Sequence, residues 1–574
     1  MRLIPLLLKI TFFTLLAGCI VAIFFPVEEY LEGELPPTEV KLVDISDESG
    51  LNFTHADELY SLFRHLPHVT HLGRWLESIS ASVAVVDINN DGLYDVFLTS
   101  TQIGSASKFF INQGNNKFVD KAADYNLSSL VTAARGVFFD CDNDKKMEVL
   151  ITAHTQNKIM KMDKYGKFRD KVVLTFSKDA QLSTAVNVFD FNRDGNLDII
   201  VNGFGHLNVP ESLVSARNGS EMRLFEGKGN CEFEDVTEKL NFGRNFFAHA
   251  FAVVDLWNRG NKLDLWMATD FNEDHIFEQQ DNYEYKDVSY LKSKSQSQSG
   301  MAAEAYYENN SPYPSIYVSH VFKTGYVTDG NKIWTWDPKN KMYFNSARDM
   351  GVNRCGWAWG GASLDIENDG DPDLLVANGF VSGDSTKNWW FVFQTTMNSA
   401  RPLVGTPKHW PDMRNLNMSG HEQDCLFINN GKGHYRDYSK ALNFDVDKRD
   451  GRGIARIDSD NDGLIDLVVA NQKQKAYFYH NQSSGNYNWI GFELEATKSQ
   501  WQALGAKLIL TLEDGTVMRK IYYSMNGYAA QHDPRAVFGM GRQKPTSLMI
   551  EWPSGNQTTI TDLQTNKYQR IVEP

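Results

Sequence analysis

Residues 87–95 read "DINNDGLYD" and follow the apolar run "SVAVV". Acidic or amide side chains fall at alternate positions, and a glycine comes sixth. A calcium ion is hard, takes six to eight oxygens at about 2.3 to 2.6 Å, and can be wrapped by a short loop that offers oxygens at positions 1, 3, 5 and 9. Asp87, Asn89, Asp91 and Asp95 hold those positions, and Leu93 at position 7 supplies only a carbonyl. Gly92 permits the sharp turn between them. The same residues also make an ordinary polar hairpin turn, and one copy does not decide.

The pattern recurs. "DFNRDGNLD" at 190–198 offers Asp190, Asn192, Asp194 and Asp198; "DIENDGDPD" at 365–373 offers Asp365, Glu367, Asp369 and Asp373; "DSDNDGLID" at 458–466 offers Asp458, Asp460, Asp462 and Asp466. "DCDNDKKME" at 140–148 keeps Asp140, Asp142, Asp144 and Glu148 but has Lys145 where glycine is expected. Each loop lies between an apolar segment and a β-rich run such as "VFLTS" or "DLLVANG". That is strand, loop, strand, whereas an EF-hand needs flanking helices and a glutamate at position 12.

Two degenerate units, starting at 255 and 307, complete a series whose starts (87, 140, 190, 255, 307, 365, 458) lie 53, 50, 65, 52, 58 and 93 residues apart. Units close alike on an aromatic-x-Asp strand, as in "KFFINQGNNKFVD" and "CLFINNGKGHYRD". Four short strands per roughly 50 residues is the pattern of a propeller blade. The expected fold is therefore all-β, a seven-bladed β-propeller with calcium-binding loops and a small C-terminal β domain. The last unit, "AYFYHNQSSGNYNW", lacks its closing strand, and "LVDISDESGLNF" at 42–53 is expected to supply it and close the ring.

These repeats resemble the FG-GAP/VCBS repeats of integrin α-chain propellers, and "GWAWGGASLDIENDGDPDLLVANG" is similar to their cartilage-acidic-protein branch. "GYAAQHDPRAVFGMG" and "IEWPSG" resemble the ASPIC/UnbV domain. The resemblance implies a propeller over 42–484, interrupted by an insertion at 381–423, and an ASPIC/UnbV domain over 485–574. It implies no reaction.

The 574-residue chain carries a net charge of −15, which argues against a nucleic-acid partner. Five filled loops would offset about ten of those charges. Residues 1–30 combine Arg2 and Lys9 with an apolar run and "LAGC" ending at Cys19. They read as an uncleaved signal anchor or a lipoprotein signal, and either places the chain on a membrane, facing the periplasm or cell exterior. Besides Cys19 there are Cys141, Cys231, Cys355 and Cys425, enough for one or two bridges.

No nucleophile elbow, phosphate loop or zinc motif appears in a plausible context. Arg135, His249, Arg452 and Arg456 fall on segments that would line a propeller channel, where they bind a ligand or merely line water. His532, Asp533 and Arg535 form a second polar cluster, or a capped turn. Trp389, Trp390, Phe391 and Trp410 give the insertion the residues of a partner-binding surface, or of a satellite core. Two functions stay open. One is a membrane-anchored, calcium-binding adhesion or scaffold protein with a protein or glycan partner; the other is an accessory protein or enzyme of an extracytoplasmic biosynthetic or redox pathway. Loops one, three, six and seven are expected to bind calcium well, loop two more weakly, and units four and five not at all.

Overall fold

The computed structural model describes residues 35–574 except 56–70, 72–77, 101–104, 129, 131–132, 154–156, 175–184, 205–209, 213–214, 242–244, 261, 295–297, 398, 411 and 413–415. The expected anchor at 1–30 lies outside the described residues. Among these, no helix is long and apolar enough to cross a membrane.

The chain is all-β, built of propeller-like repeats. Seven antiparallel sheets each contain a run of four strands. Their first strands are Val83–Val86, Ala133–Phe139, Ala185–Phe189, Phe247–Val254, Ala303–Tyr306, Ala358–Leu364 and Gly451–Ile457. These strands are buried on both faces, apart from half-buried Arg456, and so are mostly apolar or small residues, with buried Arg135, Asn187, His249, Glu304 and Arg452 among them. The outermost strands are more exposed: Phe118 is buried while Val119 and Asp120 are exposed. Sheet faces stack on one another, and Phe97 and Phe109 of the first sheet meet Phe138 of the second at 5.6 Å between ring centroids.

First strands also pack side by side around a ring, and that of the seventh sheet lies against that of the first. The seventh sheet takes its outer strand from the other end of the chain: Leu42–Asp44 pairs antiparallel with Tyr477–Asn481. Two disulfides form, Cys141–Cys231 between neighbouring sheets and Cys355–Cys425 at the sixth sheet. The first ties the second loop to a turn of the third sheet.

Past the ring, a three-stranded sheet (Trp489–Glu495, Ala536–Gly539, Tyr568–Val572) packs on a four-stranded one (Ala506–Leu512, Val517–Tyr522, Pro545–Glu551, Gln557–Ile560). Phe492, Leu508, Phe538 and Trp552 belong to the core they enclose. Between Tyr522 and Ala536 the chain leaves this domain and enters the ring. There Ala530–Gln531 pairs in parallel with Val83–Val86 as a fifth strand of the first sheet.

The insertion folds inward. Trp389, Trp390 and Trp410 are buried in one cluster with Trp357, Trp359, Phe380 and Tyr528. Trp390 Nε1 donates to Ser419 Oγ at 3.1 Å and Trp410 Nε1 to the Val404 carbonyl at 2.7 Å. Of the four aromatics singled out from the sequence, only Phe391, 74 % exposed, reaches the surface.

Candidate metal centres and the filled channel

Each acidic loop joins the first and second strands of its sheet and folds by one hydrogen-bond scheme. The first aspartate accepts two amides across the turn. Asp458 takes Asp462 N at 3.1 Å and Gly463 N at 2.9 Å; Asp365 takes Asp369 N at 3.0 Å and Gly370 N at 2.9 Å. Asp87 and Asp190 do the same for Gly92 and Gly195. The residue at position 9 joins the loop to the third strand, as when Asp373 accepts Ile366 N at 3.1 Å and Asn429 N at 2.8 Å. Gly92, Gly195, Gly370 and Gly463 all have left-handed backbones, with φ between 81° and 101°.

This scheme brings carboxylates together. One oxygen from each of Asp365, Glu367 and Asp373 lies within 4.8 Å of the others, and the same holds for Asp458, Asp460 and Asp462. Burial, followed by mutual repulsion with neighbouring acids, lifts Glu367 to about 7 and holds Asp365 well above the usual carboxylate range. Burial also lifts Asp458 to about 7, Asp462 to about 6, Asp95 to about 7 and Asp190 to about 6. Among the described residues, buried Glu367 Oε2 and Asp460 Oδ1 meet no hydrogen-bond donor. All-oxygen donor sets of this kind fit a hard divalent cation. Asp87, Asn89, Asp91, the Leu93 carbonyl and Asp95 would hold it in loop one; Asp190, Asn192, Asp194 and Asp198 in loop three. In loops six and seven the holders would be Asp365, Glu367, Asp369 and Asp373, and Asp458, Asp460, Asp462 and Asp466.

Loop two differs. Its Asp140 accepts the Lys145 amide at 2.7 Å, and Lys145 adopts the left-handed turn at φ 65° that glycine makes elsewhere. Its acids already face a cation, because the Lys161 ammonium contacts Asp142, lies 3.1 Å from Asp144 and 3.3 Å from Glu148. In unit four Arg259 contacts Asp264 and lies 2.8 Å from Glu278. Unit five has no acid at its loop positions: Asn309 donates to the Gly370 carbonyl at 2.9 Å, and the Ser311 carbonyl accepts Arg519 Nη1 at 3.0 Å.

The second cluster of sequence candidates proves to be one assembly with the first. Arg135 donates to the Val186 carbonyl at 3.0 Å and to the Ala530 carbonyl at 2.7 Å. Gln531 makes two 2.8 Å bonds with the Phe138 backbone, Gly527 N donates to Ala303 O at 2.8 Å, and Tyr523 Oη to Val188 O at 3.0 Å. Tyr528 donates to the Ile79 carbonyl, and its ring lies 5.3 Å from Trp359 and 5.6 Å from His249. Arg452 stacks over Trp359 at 4.2 Å and donates to the Gly379 and Phe380 carbonyls. His532 receives the Arg456 amide at 3.3 Å on Nδ1, so its proton sits on Nε2, 3.1 Å from the Asn526 carbonyl. Burial, then the Arg456 charge, holds this imidazole neutral, far below its ordinary value. The cluster is completed by Asp533, which pairs with Arg535 at 2.6 Å.

Protein therefore fills the channel: Arg135 and Arg452 donate to carbonyls of the surrounding backbone, Arg456 donates to Glu304 at 2.8 Å, and His249 stacks on Phe204 with Nε2 3.8 Å from Asp270. Sequence reading placed Arg135 and His532 in separate domains because nothing periodic marks residues 523–535; the parallel bridge to Val83 is visible only in the fold. Beside the filled channel, Glu304, Asp365, Arg456, Lys520 and Asn526 line a cavity of about 130 Å³ between ring and C-terminal domain.

The FG-GAP-like repeat family matches residues 87–151 and 140–201, and the ASPIC and UnbV family matches 496–574. Cartilage acidic protein 1 of Xenopus tropicalis is 30 % identical over 169 residues, 28 % of this chain and 26 % of that protein. The Homo sapiens protein of the same name is 29 % identical over 133 residues, 22 % of this chain and 20 % of its own length. The match thus spans about a quarter or less of those relatives. Among solved structures, a lectin of Agrocybe aegerita aligns at TM-score 0.35 and 12 % identity, over 68 % of this chain and 84 % of that one. A rhamnogalacturonan lyase aligns at 0.33 and 10 %, over 70 % and 71 %. On this fold, the chain thus matches the FG-GAP-like repeat family over residues 87–201 and the ASPIC and UnbV family over residues 496–574.

Proposed function

We propose that this chain is a calcium-stabilised, seven-bladed propeller that works outside the cytoplasm as a binding or scaffold protein, presented on a membrane by residues 1–30. The observation that carries the reading is the pair of carboxylate clusters in loops six and seven, where three acids each are drawn together by the fold and Glu367 Oε2 and Asp460 Oδ1 meet no hydrogen-bond donor. Calcium, when bound, supplies a counter-charge; the chain's own part is to hold the oxygens convergent by amide bonds and left-handed glycines. Two disulfides support an oxidising compartment. A channel filled by the protein's own backbone leaves the outer surfaces for a protein or glycan partner, and the net charge of −15 speaks against nucleic acid.

Metal that binds only the native state adds RT ln(1 + [L]/Kd) per site, about 2.7 kcal/mol at a hundredfold excess over Kd. Four such sites add about 11 kcal/mol. Calorimetric melts in chelator and in millimolar calcium should differ by about 10 °C for a chain of this size unfolding as one unit. Elemental analysis should count close to four calcium ions per chain. Equal melting points and no bound calcium would overturn the reading.

A further inference from the structure

The strand register shows where the side-chain cations come from. In every sheet with an acidic loop, the residue after loop position 9 pairs with a third-strand residue: Val96 with Phe110, Val149 with Met160, Ile199 with Phe225, Leu374 with Phe427 and Leu467 with Tyr479. The next third-strand residue stands beside its loop. It is Ile111 in the first sheet, Lys161 in the second, Glu226 in the third, Ile428 in the sixth and His480 in the seventh. Only Lys161 brings a permanent positive charge. Its ammonium meets three acids of loop two, so a group of carboxylates spaced for a metal already faces a fixed cation. Loop two also makes its turn with Lys145 in place of glycine.

Unit four reaches the same end by a different route. Its position 5, an aspartate in the other loops, is Arg259, whose amide still makes the common turn bond to Asp255 Oδ1 at 2.9 Å. The guanidinium bends back to Asp264 and Glu278 and stacks 5.0 Å from Trp257, the residue standing at position 3. Where the acidic loops carry oxygen-bearing side chains at positions 3 and 5, unit four thus carries an aromatic ring and the cation stacked on it.

We propose that Lys161 and Arg259 are resident cations that take the place of metal in loops two and four, so that the ring carries two kinds of loop: metal-dependent ones in sheets one, three, six and seven, and self-paired ones in sheets two and four. The self-paired loops also hold the C-terminal domain through their acids and turns. Trp501 donates to Asp140, Lys145 lies 2.6 Å from Glu495, and Lys507 Nζ lies 2.9 Å from Asn258 Oδ1. This seating stays formed without metal.

The inference rests on the calcium reading for the other loops, and two readouts separate the fates of the two. Full-length protein, wild type and Lys161→Met, Lys161→Arg and Asp144→Asn variants, is equilibrated with millimolar calcium and its bound metal counted. Lys161→Met should gain one ion, lost again in the Lys161→Met/Asp144→Asn double variant. Lys161→Arg and Asp144→Asn alone should keep the wild-type count. Melting in chelator is the second readout. There Lys161→Met should melt several degrees below wild type, because Asp142 and Glu148 lose the ammonium they face and Asp144 keeps only the more distant Lys146 at 3.8 Å, and Lys161→Arg should not. If Asp144→Asn costs the wild type an ion, if Lys161→Met gains none while wild type binds several, or if the chelated melts coincide, the proposal falls. Should Lys161→Met fail to fold even in calcium, an unchanged count in Asp144→Asn and a wild-type melt of Lys161→Arg still support it, and a lost ion still refutes it. Should no variant bind calcium, the calcium reading falls, and the chelated melts alone decide for or against Lys161.

Discussion

Replacing Tyr528 tests whether ring and C-terminal domain are one cooperative body. The side chain is fully buried, packs against Trp359 and His249, and bonds the Ile79 carbonyl. Truncating a buried aromatic to alanine costs about 3–5 kcal/mol, and losing the hydroxyl alone about 1 kcal/mol. At about 2.1 cal/mol/K per residue, about 540 residues melting together carry about 1.1 kcal/mol/K, so Tyr528→Ala should lower Tm by about 4 °C and Tyr528→Phe by about 1 °C. If the last 85 or so residues melted alone, the same loss would act on about 0.2 kcal/mol/K and shift their transition by about 20 °C. Differential scanning calorimetry distinguishes these outcomes. A single transition moved by about 4 °C is expected. Two transitions, with the ring's unmoved by Tyr528→Ala, would refute the view that the segment is part of the ring's core.

Three further outcomes are expected. Gly463→Ala places a methyl 2.0 Å from the Trp489 ring at a backbone φ of +86°, and should destabilise the chelated protein by about 2–4 kcal/mol while removing one bound calcium ion; an unchanged melt would contradict the seating of Trp489 on loop seven. Trp390→Ala should cost about 3–5 kcal/mol, whereas Phe391→Ala should stay within about 0.5 kcal/mol; comparable melts for the two would show the insertion packed differently. His320 lies 2.9 Å from Asp329 and 3.5 Å from Asp274. Burial alone would lower its pKa, but the two carboxylates outweigh that and raise it. Its contribution is therefore complete below the unfolded histidine value of about 6.5 and lost as pH rises through the higher folded value; Tm should fall between pH 6 and 9, and His320→Gln should flatten that slope.

The acidic loops were legible because alternate oxygens and a glycine are a local pattern that strand flanks only reinforce. The pairing of Leu42–Asp44 with the last repeat was legible for a similar reason: the repeat that ends at "AYFYHNQ" lacks a strand that its siblings possess. Lys161 was not legible as part of loop two, because it stands beside that loop only through strand register, thirteen residues past Glu148. The inward turn of Trp389 and Trp390 was hidden as well, since an eight-residue helix led by two adjacent tryptophans has too little periodicity to tell core from surface. The path of "GYAAQHDPRA" was the least legible of all. Its partners are backbone groups of several sheets, and backbone groups leave no mark in a sequence.

That path has a consequence for how the protein is made. A chain synthesised from its N-terminus completes the first sheet's inner strand some 440 residues before Ala530 and Gln531 exist to lie beside it. Until then the Arg135 guanidinium lacks the Ala530 carbonyl, and the Ile79 carbonyl lacks its tyrosine. The strand at Leu42–Asp44 waits almost as long for Tyr477–Asn481. A product terminated before Tyr477 therefore lacks the partner of Leu42–Asp44, and one terminated between Asn481 and Ala530 has every sheet of the ring but not the segment that fills its centre.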